Sequence, residues 1–259
     1  MFRIPNSGGL KGLAAALSLL AGLGFGAASA AEDQSFDDAQ INTIEGLIRS
    51  YIRNNPEVII DALRAYDQEQ KRLAAVAVRD QMAERRQQLE RDAGDFVGGN
   101  PDGDISLIEF FDYRCPYCKR VVPQLVELRK SDKKLRFVYK EFPILGPDSV
   151  VASRAALASR AQGKYQAFHD AMMTSRGKLT EVAVMQIAAE VGLDVGRLVN
   201  DMKASEVQDT IARTYALAQA LGITGTPSFV IGDSLVRGAV TGAELKRRIA
   251  EARDSCETC

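Results

Sequence analysis

Three adjacent segments constrain this chain most: the apolar run ISLIEFF at 105–111, the helix-like stretch from Pro116 to Lys130, and a second apolar run, LRFVYKEF, at 135–142. Runs of seven or eight residues rich in Ile, Val, Phe and Tyr read as buried strands. The order strand, helix, strand within about 38 residues is a βαβ unit, and its handedness places the helix over a sheet. At the first junction, FFDYRCPYCKR (110–120) sets Cys115 and Cys118 three positions apart.

What such a pair does depends on the compartment. Residues 1–30 open with Arg3 and Lys11, continue through an apolar core from Leu13 to Phe25 and end in Ala28-Ser29-Ala30. This is the pattern of a cleavable secretory signal peptide, with an apolar run shorter than the roughly 20 residues a spanning helix needs. The expected compartment is the periplasm, where disulfides persist. Without Arg3 and Lys11, 31 Lys plus Arg face 34 Asp plus Glu, a balance of −3 that argues against nucleic acid as a partner. The 229 residues left can bury a real core, so the thiol pair is not needed as a staple.

Four cysteines remain, as Cys115-Pro116-Tyr117-Cys118 and, at the far end, Cys256 and Cys259. Zinc would need two more ligands beside CPYC, and the chain offers His169, on a predicted helix, and the terminal pair. The strand-to-helix context favours redox chemistry instead. Cys115 at a helix start faces unsatisfied N–H groups and the positive end of the helix dipole, which stabilise a thiolate. It is the candidate nucleophile, Cys118 one turn on is the resolving thiol, and Pro116 occupies the first helical position, where its missing N–H goes unused. No metal and no cofactor is expected. The terminal pair is read as a tail disulfide, a metal-binding end or a second redox pair, with no catalytic role assigned.

Upstream, Ile44, Leu47, Ile48, Tyr51 and Ile52 recur at helical spacing, and Asn54-Asn55-Pro56-Glu57 reads as a stop and restart with Asn55 as the next N-cap. The following helix carries Ile59, Leu63, Tyr66 and Leu73 and runs on through QEQKRLAAVAVRDQMAERRQQLERD without Gly or Pro until Gly94. Its narrow apolar stripe suits packing against another helix. Residues 31–95 are therefore expected to form an α-helical stalk, with homo-oligomerisation through 37–92. The turn-rich GGNPDG at 98–103 marks a boundary. Residues 148–222 carry helical patterns, SFVIGD and SLVRG a hairpin, and TGAELKRRIAEARD a closing helix.

CPYC after an acidic, aromatic strand, the helical insert at about 148–222, and Gly225-Thr226-Pro227-Ser228-Phe229 before the hairpin resemble the DsbA-like branch of thioredoxin-fold oxidoreductases, over about residues 96–253. The extension resembles that of ScsC-type proteins, some of which are trimeric disulfide isomerases. The resemblance implies an α/β thioredoxin fold with an inserted helical domain behind a helical stalk, spanning 96–259. It implies a cis bond at Pro227, with Thr226 presenting its backbone to an extended substrate, and a buried Glu109 beneath the cysteines. Such a carboxyl would carry a proton to or from Cys118. Lys140, on the neighbouring strand, is a possible partner for it. Tyr117 stands where oxidase-type members often have histidine, and threonine before the proline resembles the isomerase members.

The implied activity is thiol–disulfide exchange on exported cysteine-containing proteins, with a membrane reductase or oxidase as redox partner. Isomerase action is preferred, because a stalk can gather several active sites, up to a trimer. Dithiol oxidation and soft-metal handling by CPYC with the terminal cysteines, in line with the copper tolerance linked to ScsC-type proteins, are the alternatives.

Overall fold

The computed structural model describes residues 36–255. The expected signal peptide, residues 1–30, and the Cys256–Cys259 pair lie outside them. The chain divides into two compact units between Asp61 and Ala62, within helix α2.

In the first unit α1 (Asp38–Asn54) opens with a reciprocal capping box, Asp37 accepting from the Gln40 amide and Gln40 from the Asp37 amide. The expected role of Asn55 is not what forms. Its side-chain amide donates to the Tyr51 carbonyl at 2.9 Å and so closes α1, while α2 (Glu57–Glu84) starts beyond Pro56. The amide NH2 found the nearer orphan group, a carbonyl at the preceding helix end. No residue of α1 is buried, and Leu47, Ile48 and Tyr51 are 66%, 53% and 58% exposed.

In the second unit α2 gives way at Arg85 to a short α3 (Arg86–Glu90), where the sequence suggested one continuous helix. The break is a tertiary effect. Met82 and Leu89 are both buried in the core, and Arg86 reaches the β-hairpin, donating to the Gly232 carbonyl and to Asp233.

The sheet has the order β1-β3-β2-β4-β5, with β2 (Ile105–Phe111) and β3 (Leu135–Glu141) parallel at its centre. The other strands, β1 (Phe96–Gly99), β4 (Ser228–Ile231) and β5 (Ser234–Arg237), pair antiparallel. β1 is unexpected, since two of its four residues come from the glycine-rich turn signal. It forms because Phe96 to Gly99 pair with Tyr139 to Arg136, and the turn proper follows at Asn100–Gly103. Between β2 and β3 runs α4 (Pro116–Ser131). Between β3 and β4 come α5 (Pro147–Ser159), α6 (Tyr165–Thr174), α7 (Glu181–Glu190), α8 (Val195–Asp201) and α9 (Ser205–Ala220), and α10 (Gly242–Asp254) closes the chain. The arrangement is a thioredoxin fold with an inserted helical subdomain.

Alternation along the strands separates two cores. Leu107, Phe111, Phe137 and Tyr139 pack with α4, the insert and α10, whereas Ile108, Phe110 and Val138 pack with Met82, Leu89 and Leu217 on the other face. Lys140 belongs to the second face. Phe110 is its register partner, whereas Glu109 lies opposite Tyr139, so the suggested Lys140–Glu109 pair is not made. Lys140 instead bonds Asp95 and the Gln88 carbonyl, fully buried.

These contacts locate the excisable segment. Cutting at residue 95 removes two buried apolar side chains, worth about 1.5–3 kcal/mol each, and strands a buried ammonium at about 3–5 kcal/mol. The total approaches the roughly 5–15 kcal/mol stability of a domain. Deleting 31–61 should therefore leave a cooperatively unfolding protein, and deleting 31–95 an insoluble or molten one, as read by urea denaturation followed by circular dichroism. Equal midpoints for the two deletions would refute this assignment.

Candidate active site

β2 ends at Phe111, and the loop 112–115 turns the chain into α4. Asp112 shapes that loop, its carboxylate accepting from the Arg114 amide at 2.7 Å, the Leu145 amide at 2.9 Å and the Ser149 hydroxyl at 2.9 Å. Its sequence signal is an aspartate three residues before the N-cap, in the short turn that leads into the helix. Cys115 is the N-cap of α4, with Pro116 at the first position of the helix. Its Sγ accepts from the Cys118 amide at 3.3 Å and, as a thiol, donates to the Thr226 carbonyl at 3.2 Å. Thr226 precedes Pro227 through a cis bond, immediately ahead of β4. The loop holding these two residues thus lies against the nucleophile.

Both cysteines are free thiols, Cys118 wholly buried and Cys115 3% exposed. Their acidities diverge. Hydrogen bonding from the Cys118 thiol, opposed by burial and helped by the Thr226 side chain and the backbone amides of Cys118 and Tyr117, lowers Cys115 to about 6. Burial first, then the bond to Cys115 and the Glu109 charge, push Cys118 far above the ordinary thiol range. One sulfur is a ready thiolate at neutral pH, and the other needs a base.

Glu109 is 2% exposed and neither carboxyl oxygen has a hydrogen-bond partner. Burial, then the Cys115 and Glu141 charges, raise it to about 8. It is among the charges acting on Cys118. Tyr117 is 52% exposed, with the Arg120 guanidinium 5.0 Å above its ring. Lys119 fastens α4 to the end of α6, donating to the Ser175 carbonyl at 2.9 Å. His169 takes no part in exchange geometry: it is 3% exposed, stacks edge-on against Phe111 and Tyr139, and burial lowers it to about 3.

A family model described as a DSBA-like thioredoxin domain matches residues 106–250, and one described as the copper resistance protein ScsC N-terminal domain matches 42–72. A thioredoxin-like oxidoreductase from Silicibacter pomeroyi DSS-3 is 50% identical, covering 66% of this chain and 99% of its own, at TM-score 0.65. A linker-deletion mutant of Proteus mirabilis ScsC is 25% identical, covering 86% of this chain and 100% of its own, at TM-score 0.64. Among curated relatives, the Na(+)/H(+) antiporter NhaA of Herminiimonas arsenicoxydans is 31% identical over 165 residues, 63% of this chain. The chain spans about a quarter of the length of that protein and the similar antiporters. No described helix is long and apolar enough to cross a membrane. The chain belongs to the DsbA-like thioredoxin family.

Proposed function

We propose that this chain is a periplasmic thiol–disulfide oxidoreductase acting on exported cysteine-containing proteins, with disulfide isomerisation as its main task. The observation that carries the reading is the split between a thiolate-forming Cys115 and a buried Cys118 that feels the Glu109 charge. In the first step the Cys115 thiolate attacks a substrate disulfide. A Cys115–substrate bond forms, the substrate S–S bond breaks, and the freed substrate sulfur leaves as a thiolate. In isomerisation that thiolate, or another in the same substrate, attacks elsewhere and finally displaces Cys115, so no net oxidant is consumed. In the oxidative direction the Cys115–Cys118 disulfide passes to the substrate and a membrane partner restores it. Backbone groups at Thr226, next to Cys115, suit pairing with an extended substrate segment.

Isomerisation is favoured over oxidation by the first unit. A helix with no buried residue and an open apolar stripe fits self-association; of the expected 37–92 interface the part around Met82 and Leu89 is taken up by the chain's own core, which leaves the α1 segment to gather the chains, up to a trimer, and set several Cys115 sites around one client. The match of 42–72 to the ScsC N-terminal domain supports the same reading. The signal-type N-terminus supports export.

The test is recovery of active ribonuclease from its scrambled form in a glutathione buffer, comparing the mature chain with the 31–61 deletion, with molar mass read by light scattering. The full chain should be oligomeric and reshuffle, while the deletion is monomeric and loses most of that activity. If both forms oxidise reduced ribonuclease and neither reshuffles, the protein is an oxidase.

A further inference from the structure

Glu141 is a second buried carboxyl that the exchange steps above do not use. It closes β3 opposite Phe111, while Glu109 lies opposite Tyr139. With a side-chain period of two, Glu109 and Glu141 share the sheet face covered by α4 and the insert, as diagonal neighbours on adjacent strands. Glu141 is 1% exposed. Its Oε1 accepts from the Tyr113 hydroxyl at 2.9 Å and the Tyr165 hydroxyl at 2.6 Å, while Oε2 has no hydrogen-bond partner. Each hydroxyl has a single proton, and Tyr113 gives its own to Glu141. The 3.1 Å contact between Tyr113 and His169 Nδ1 is therefore an N–H of His169 donating to the tyrosine oxygen.

Among the described residues, no lysine or arginine bonds either carboxyl. The titratable and charged groups around Glu141 are Tyr113 and Asp112 from the active-site loop, Glu109 from β2, Tyr139 from β3, and Tyr165 and His169 from α6. Arg129 of α4 is engaged with Tyr139 and Asp170.

We propose that Glu141 is a positioning residue that governs, through Glu109, when Cys118 gives up its proton. This rests on the thiol–disulfide reading above. The step it controls is resolution of the mixed disulfide. Cys118 Sγ–H passes its proton to the Glu109 carboxylate, the Cys118 sulfur attacks Cys115 Sγ, and the Cys115–Cys118 bond forms. The Cys115–substrate bond breaks, and the substrate leaves as a thiolate that takes a proton from water. The cysteine pair is oxidised by two electrons and the substrate disulfide reduced by two.

Two tyrosine donors favour the Glu141 anion, whereas Glu109 has none, so Glu141 ionises first. Its charge then holds the proton on Glu109, as coupled carboxyls do. Burial is the main reason that both stand near 8.

The experiment uses the full mature chain carrying a Cys115–glutathione mixed disulfide. Glutathione release by Cys118 is followed after pH jumps between 4 and 9, in the wild type, Glu141→Gln, Glu109→Gln and the double variant. With Glu141 uncharged, the midpoint of the rate profile should fall by about one pH unit, the size of shift expected of strongly coupled sites. In the Glu109→Gln background the second substitution should move nothing. Should Glu141→Gln fail to fold, Tyr113→Phe, which removes one donor to the anion, should move the midpoint in the same direction by less. A structural role alone scales the rate at every pH and leaves the midpoint in place, and that result overturns the inference. So does an equal shift in the double variant. No release at any pH in the wild type would instead remove the thiol–disulfide reading itself.

Discussion

Cys115→Ser should reduce disulfide exchange by at least about 10³-fold, while Cys118→Ser should still attack substrate and then stall as a mixed disulfide. The asymmetry follows from where each sulfur sits. Cys115 caps α4, and its sulfur collects the Cys118 thiol, Thr226 and two backbone N–H groups, which bring it to about 6. At pH 7 about nine-tenths of it is thiolate, against a few per cent for a thiol of ordinary pKa near 8.5. That gain of roughly 30-fold in reactive species is partly offset by the lower intrinsic nucleophilicity of a weaker base. Cys118 is wholly buried, so a substrate disulfide cannot reach it. Thiolate absorbance at 240 nm, followed from pH 4 to 10 in the reduced protein, should show one step near pH 6. It should vanish in Cys115→Ser. A single step above pH 8, or a step that survives that substitution, would sink the assignment of Cys115 as nucleophile.

The site was largely legible in the sequence because its parts are local. A strand, a Cys-x-x-Cys pair and a helix start are contiguous, and their geometry follows from strand and helix periodicity alone. Thr226 and Pro227 are 111 or more positions away from Cys115, and only a family resemblance brought them to it. Asn55, which closes the helix before it, and Asp112 are local departures; the others are long-range. β1 came from residues that look like turn formers, and it is the register with β3 that makes them a strand. Lys140 was offered to Glu109 on neighbourhood, but period-two alternation turns it to the other face, where Asp95, 45 positions earlier, awaits it. Glu141 went unnoticed because nothing local distinguishes a glutamate at the end of LRFVYKE from a solvated strand end. Its two tyrosine donors arrive from the active-site loop and from α6. The break at Arg85 likewise answers to the hairpin that Arg86 grips.

Glu109→Gln should make the reduced protein more stable at pH 8 by a few kcal/mol, although it removes the carboxyl proposed to carry the Cys118 proton. In the folded chain burial raises this carboxyl from 4.5 to about 8. The folded state therefore holds a proton that the unfolded state has released at every pH between those values. Stability falls as pH rises through that window, and the loss is complete above the folded value. At 1.36 kcal/mol per pH unit the full cost is on the order of 3–5 kcal/mol. Glutamine carries no charge, so it escapes this cost, but its amide inherits a site with no hydrogen-bond partners, worth about 1–3 kcal/mol in the opposite sense. The two effects predict a crossover, with the variant equal to or below wild type at pH 5 and above it at pH 8. His169 works the other way, losing stability only as pH falls below about 6.5 towards its folded value near 3, and it is present in both proteins. Glu141 is common to both as well, so the difference in urea midpoint between wild type and variant isolates Glu109. In the oxidised protein the Cys115 thiolate no longer opposes ionisation, and the gain at pH 8 should shrink. A difference that does not change with pH would show that Glu109 is not held protonated beneath the cysteines.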